Sequence, residues 1–143
     1  MSPDKVPRHV RSRIMARIRS TGTTPERKLR AALSRNGLRG FKLQYGIIGR
    51  PDFAFPEERI AIFCDSDFWH GRKNLPASNR PYWRAKMKRN MARDLTVNAK
   101  LKAQGWVVIR VSESEIMTSS RKCIQIVAKE LFERRKVQWR RRE

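Results

Sequence analysis

The stretch Trp106-Val107-Val108-Ile109-Arg110-Val111 is apolar throughout except at Arg110, and no other segment constrains the chain as much. A run of this length without alternation reads as a strand covered on both faces, a central strand of a sheet with helices above and below it. Three more strands are expected at Phe41 to Tyr45, Pro51 to Phe55 and Arg59 to Cys64, the last two joined through Pro56-Glu57-Glu58, so that the three form a small meander. Thr24-Pro25-Glu26 opens a helix, with Thr24 at the N-cap, Pro25 at the first helical position, and Thr23 and Glu26 at capping-box spacing. That helix runs to about Gly37 and buries Leu29, Ala32 and Leu33. A long helix starts near Pro81 and stops at Gly105, with Trp83, Met87, Asn90 or Met91, and Leu95 near one face. After Ser119-Ser120 a last helix carries Ile124, Val127 and Leu131 and ends in the basic run Arg140 to Arg142. The first 20 residues read as a basic arm and short helix around Ile14, Met15 and Ile18. The order predicts an α/β fold, one mixed sheet of about four strands flanked by helices. A chain of 143 residues has room for one such domain, residues 1–143, with a basic tail at about 134–143.

The charge indicates what this domain meets. Thirty-four basic residues stand against 13 acidic ones, a net +21, and most of the bases are arginine, whose planar fork suits phosphate. A polyanion is the expected partner. At 39% hydrophobic residues the chain is too apolar for a disordered basic tail, and no apolar run approaches the roughly 18 residues of a membrane span. The N-terminus has no apolar signal core, and Cys64 and Cys123 make no disulfide framework. A cytoplasmic, nucleoid-associated location is expected.

The basic charge reverses in one place. Residues 51 to 70 hold one base, Arg59, against Asp52, Glu57, Glu58, Asp65 and Asp67. Glu57 and Glu58 follow a proline between apolar runs and read as turn residues. The aspartates stay open. In a polyanion binder a carboxylate facing the ligand repels it unless a cation sits between them, the arrangement a Mg²⁺-dependent nuclease requires. Hairpin pairing brings Asp52, at the start of one strand, close to Cys64-Asp65-Ser66-Asp67 at the end of the next.

Phe68-Trp69-His70 follows at once, in the longest stretch without periodicity. An apolar pair such as Phe68 and Trp69 is ordinarily core, but a polar loop tip suits a wedge inserted between base pairs. His70, one of two histidines, is either a surface residue or the best general acid or base in the chain. Tyr82-Trp83 reads equally as a core pair or a stacking platform. Arg84, Lys88 and Arg89 are either phosphate contacts or a solvated helix face, and Asp94 among them is most simply an intrahelical ion-pair partner. Glu26 has a structural task to hand in completing the helix cap. No zinc-ligand spacing exists, and no phosphate-loop glycine pattern.

Taken in order, Arg11-Ser12-Arg13-Ile14-Met15-Ala16-Arg17-Ile18, Thr24-Pro25-Glu26, Gly49-Arg50-Pro51-Asp52-Phe53, Phe68-Trp69-His70, Asn90-Met91-Ala92-Arg93-Asp94 and Gly105-Trp106 resemble the very short patch repair (Vsr) endonucleases over about residues 10 to 116. The resemblance implies the restriction-endonuclease-like PD-(D/E)XK fold and a Mg²⁺-dependent nick in one strand of double-stranded DNA, beside the thymine of a T:G mismatch, with Mn²⁺ as a substitute ion. It implies that Asp52 is the metal carboxylate, that Cys64 offers its backbone carbonyl to the metal, and that His70 is the catalytic histidine with Glu26 holding it or the water. Phe68, Trp69 and Trp83 would wedge into the duplex, while Arg13 and Arg17 on the N-terminal helix, with Arg84, Lys88 and Arg89, would bind DNA. Asp65, Asp67 and Asp94 would stand behind the metal.

The chain also departs from the family. Where members usually read Gly-Cys-Phe-Trp-His and carry a structural zinc, it has Ser66-Asp67-Phe68-Trp69-His70, and Ser114 stands at the later cysteine position. No zinc is expected, and the loop would be held otherwise, for instance by Asp67 pairing with an arginine. A monomeric nicking endonuclease, with repair or defence proteins as further partners, is the first expectation. The alternatives are a nickase of different specificity from a mobile element, phage or defence system, and a catalytically silent module that binds distorted duplexes. A silent binder has no use for the acidic segment. A basic RNA-binding domain lacks the aromatic strand pattern it would need.

Overall fold

A computed structural model describes residues 22–66 and 80–142. In chain order the elements are α1 (Thr24–Arg35), β1 (Lys42–Leu43), β2 (Phe53–Phe55), β3 (Ile60–Asp65), α2 (Arg80–Ala103), β4 (Val107–Ser112) and α3 (Glu113–Arg142). The four strands form one mixed sheet in the order β1-β2-β3-β4. The meander is antiparallel, with Leu43 opposite Phe53 and Phe53 opposite Ile62, whereas β4 lies parallel to β3, with Cys64 opposite Val111 and Asp65 opposite Ser112.

Alternation along β3 divides the core in two. Ile60 and Ile62 face a layer made with Phe53, Phe55, Ile109 and Val111, which α1 covers with Leu29, Ala32 and Leu33 and α3 with Ile116, Ile124, Val127 and Leu131. Ala61 and Phe63 face the other way, against Val97 and Leu101 of α2. The mixed four-stranded sheet between helices matches the sequence expectation. The place of β4 does not: it is covered on both faces but ends the strand order, because helices rather than neighbouring strands enclose it. The interior strands are β2 and β3.

Three further details refine the sequence reading. The N-cap is Thr23, whose hydroxyl accepts from the Glu26 amide at 3.4 Å. Helix α3 is broken at Ser119, whose φ of −152° and ψ of 64° are not helical, so the last helix follows Ser119 as the sequence placed it, and a short helical stretch from Glu113, not expected, precedes it. The basic tail is the last part of this helix, held to the β2–β3 turn: Arg135 Nε donates to Glu58 Oε1 at 2.9 Å and the Gln138 amide donates to the Glu57 carbonyl. Glu58 lies in the turn as read, and is in addition a buried partner of α3.

Helix α2 also turns differently. Only Val97 and Leu101 are buried, Leu95 is 69% exposed, and Asn90 and Asp94 are half-buried where Met91 and Leu95 are not. Stepping back from Leu101 by three and four residues gives 97, 94, 90, 87 and 83, so the inward stripe contains two polar residues that a hydrophobicity pattern passes over. Arg110 explains the presence of Asp94.

Candidate active site

The described site is built where α1 begins, β2 begins and β3 ends. Asp52 sits one residue before β2, and its Oδ2 accepts from the backbone N–H of Cys64 at 2.7 Å. The hairpin thus joins Asp52 to the end of β3, as its sequence spacing predicted. Gln44 holds the other side: its backbone N–H donates to the Asp52 carbonyl at 3.1 Å, and its side-chain amide lies 3.4 Å from Oδ1. Gln44 was not a candidate from sequence, and its only signal is its place beside the meander. Among the described residues no arginine or lysine forms an ion pair with Asp52.

Glu26 reaches the same point from α1. Its Oε2 accepts from the Gly22 N–H at 2.7 Å, and its carboxyl stands close enough to that of Asp52 to feel its charge. Glu26 thus ties down the start of α1 through Gly22 and also stands beside Asp52. The two carboxyls line a cleft of about 100 Å³ with Arg27, Arg30, Leu43, Gln44 and Phe53.

Two carboxylates this close cannot both be ionised without help. Burial first and then the charge of Asp52 push the Glu26 carboxyl from 4.5 up to about 7, against the lowering effect of the Gly22 and Thr23 amides. A proton held more tightly in the folded state stabilises the metal-free protein fully below about pH 4.5, and this contribution is lost as pH rises through about 7. Urea unfolding of the metal-free protein should show stability falling by on the order of 2–3 kcal/mol between pH 5 and pH 8. Glu26→Gln should flatten that dependence.

Burial, with the charges of Asp52, Glu26 and Asp65, pushes the Cys64 thiol well above its usual range, so it stays neutral. It offers no thiolate to a soft metal. Among the described residues no group of three or more His, Cys, Asp or Glu side chains could hold a metal ion. The Glu26–Asp52 pair, two oxygen donors whose repulsion a cation would relieve, suits a hard divalent ion, with backbone oxygen and water completing its shell.

Asp65 is kept apart from this pair. Arg110 of β4 donates through Nη1 to Asp65 Oδ1 at 2.9 Å and through Nε to Asn98 Oδ1 at 2.8 Å, and the same Nη1 lies 3.6 Å from Asp94 Oδ2. Its guanidinium stacks 4.2 Å from the centroid of the Phe63 ring. Asp94 is thus a partner of β4, correcting the intrahelical pairing expected for it. The one charged residue in an apolar run was the signal for this hub.

Arg84, Lys88 and Arg89 are exposed on α2. Trp83 is half-buried, with Tyr82 edge-on at 5.2 Å and Lys86 Nζ 5.9 Å from its ring centroid. Arg13, Arg17, Asp67, Phe68, Trp69 and His70 lie outside the described residues.

An α/β core with a carboxylate cleft at the end of its meander is that of a restriction-endonuclease-like protein. Residues 3–75 match the family model of the DNA mismatch endonuclease Vsr. The Type II nicking enzyme V.HpaIIP of Haemophilus parainfluenzae is 36% identical over 137 residues, covering 92% of this chain and 97% of its own. The Type II nicking enzyme V.NmeDIP of Neisseria meningitidis serogroup C is 36% identical over 129 residues, 87% of each chain. The DNA mismatch endonuclease Vsr of Escherichia coli strain K12 is 34% identical over 108 residues, 72% of this chain and 69% of its own. The chain belongs to the Vsr family and is a DNA endonuclease.

Proposed function

We propose that this protein nicks one strand of duplex DNA in a reaction that requires Mg²⁺ or Mn²⁺, with a T:G mismatch as its preferred substrate. The observation that carries the proposal is the Glu26–Asp52 pair, set in a cleft of a molecule with a net charge of +21. Family membership supports the mismatch, and the naming of the relatives as nicking enzymes supports the single-strand cut.

Asp52 would hold the ion, with the backbone carbonyl of Cys64, and Glu26 beside it. When bound, the ion neutralises the scissile phosphate and makes the attacking water more acidic. The protein residues do the rest. The Cys64 amide and Gln44 fix the Asp52 carboxylate, and Glu26 beside it takes up a proton from the water. His70 serves as a second acid or base, as its position after β3 suggests. Arg84, Lys88 and Arg89, with Arg13 and Arg17 of the N-terminal arm, carry the backbone phosphates, while Phe68, Trp69 and Trp83 open the stack at the mismatch. The work is done on DNA in the cytoplasm.

The test is a cleavage panel: duplexes end-labelled on each strand, matched or carrying each mismatch, with Mg²⁺, Mn²⁺ or EDTA. One labelled strand should be cut, EDTA should abolish the cut, either ion should restore it, and T:G should exceed matched DNA by at least about tenfold. Metal-dependent nicking with a different preference would give a nickase of other specificity. Salt-sensitive binding without cleavage on any duplex would leave the silent module.

A further inference from the structure

Three residues other than glycine adopt left-handed backbone in the described chain: Gln44 at φ 47°, Arg50 at φ 46° and Arg59 at φ 57°. Such a conformation is strained for any side chain larger than glycine, and it persists where something nearby holds it. For two of the three that something is internal. Gln44 grips Asp52 through backbone and side chain. The Arg59 guanidinium donates to the Gln104 carbonyl at the end of α2 at 2.9 Å, and its own carbonyl accepts from Val107 at 2.8 Å where β4 starts.

Arg50 differs. It precedes Pro51, which disfavours helical backbone in the residue before it, so left-handed geometry here runs against a second preference. Its amide closes a turn onto the Ile47 carbonyl at 3.0 Å, a bond that needs no particular side chain. Gly49 before it is also left-handed, at φ 81°, and its α-carbon lies so close to Val97 and Phe63 that no side chain fits, which fixes the loop against α2. The Arg50 side chain is exposed and, among the described residues, forms no hydrogen bond or ion pair within the protein. A position that glycine or asparagine would occupy with less strain thus keeps a permanent cation, two residues from Asp52.

We propose that Arg50 is a phosphate-binding residue of the nicking site, its guanidinium gripping a backbone phosphate of the strand that Asp52 acts on. The strain is held in the free protein and put to use when DNA binds. A planar fork can take two phosphate oxygens at once, which a lysine cannot match. The reaction at this point still leans on Asp52 as the catalytic carboxylate, but binding of the phosphate by Arg50 does not.

The test separates the two. Wild type, Arg50→Gly, Arg50→Asn and Arg50→Lys are compared for thermal unfolding without DNA and for binding to a fluorescent T:G duplex in EDTA across roughly 50 to 200 mM salt. The Gly and Asn variants, both at home in left-handed backbone, should melt no lower than wild type, bind DNA at least about tenfold more weakly, and lose about 0.9 from the log-log salt slope. Arg50→Lys should keep the slope and recover part of the affinity. Affinity within twofold of wild type for Gly and Asn would overturn the proposal. A clear fall in their melting temperature would overturn it too, assigning Arg50 to an internal partner such as Asp67. Cleavage surviving in Asp52→Asn would remove only the catalytic part of the site, since the role of Arg50 is read from binding.

Discussion

Asp52→Asn should abolish nicking, by about three orders of magnitude or more, an increase of roughly 4 kcal/mol in the barrier, while the folded protein becomes no less stable. The two halves of this expectation come from the same geometry. The amide retains an oxygen for the Cys64 N–H, so the link between β2 and the end of β3 survives. What disappears is a negative charge facing Glu26, the second cause of that carboxyl's elevation after burial. Stability of the metal-free protein at pH 8 should therefore rise, and its loss between pH 5 and pH 8 should shrink. Nicking assays beside urea unfolding at both pH values check both parts. A variant that nicks as wild type would remove Asp52 from the chemistry, and one that unfolds more easily at pH 8 would mean that the pair is not repulsive.

Arg110→Ala should have the largest effect on stability, about 2–3 kcal/mol. Its guanidinium brings together Asp65 from β3 and Asp94 and Asn98 from α2, over the Phe63 ring. Truncation leaves two carboxylates facing each other with less positive charge between them, and removes a packed face from the core layer beneath α2. Lysine restores a charge but not the fork, so Arg110→Lys should recover less than half of the loss. A double-mutant cycle with Asp65→Asn should give a coupling of about 1 kcal/mol or more. Additive effects would reduce the hub to a set of independent surface contacts.

Much of the fold was legible because it rests on local rules. The apolar runs of β3 and β4 could only be strands, the turn at Pro56 could only join neighbours, and Thr23 with Glu26 marked a helix start within one residue. The failures share one cause. Sequence patterns treat inward as apolar, and at this site inward is partly ionic. Asp94 lies on the inner stripe of α2, with Asn98 beside that stripe, because Arg110 faces them, so the hydrophobic pattern pointed to Leu95 instead. The same blindness placed β4 in the middle of the sheet, since a strand enclosed by helices carries the same residues as one enclosed by strands. In the site, the meeting of Asp52 with the end of β3 followed from hairpin spacing alone, whereas Cys64 and Glu26 became functional candidates only through the family resemblance. Gln44 had no signal, because what it contributes is backbone geometry.

The seating of α1 has a consequence for how the enzyme comes into being. Glu26 is carried by a helix whose buried face, Leu29, Ala32 and Leu33, is covered by residues of α3 as far along as Leu131. A nascent chain still on the ribosome has made every residue of the carboxylate cleft long before it has made the helix that sets the cleft's geometry. Glu26 is thus set beside Asp52 only once α3, the last of the described elements to be made, has folded over α1.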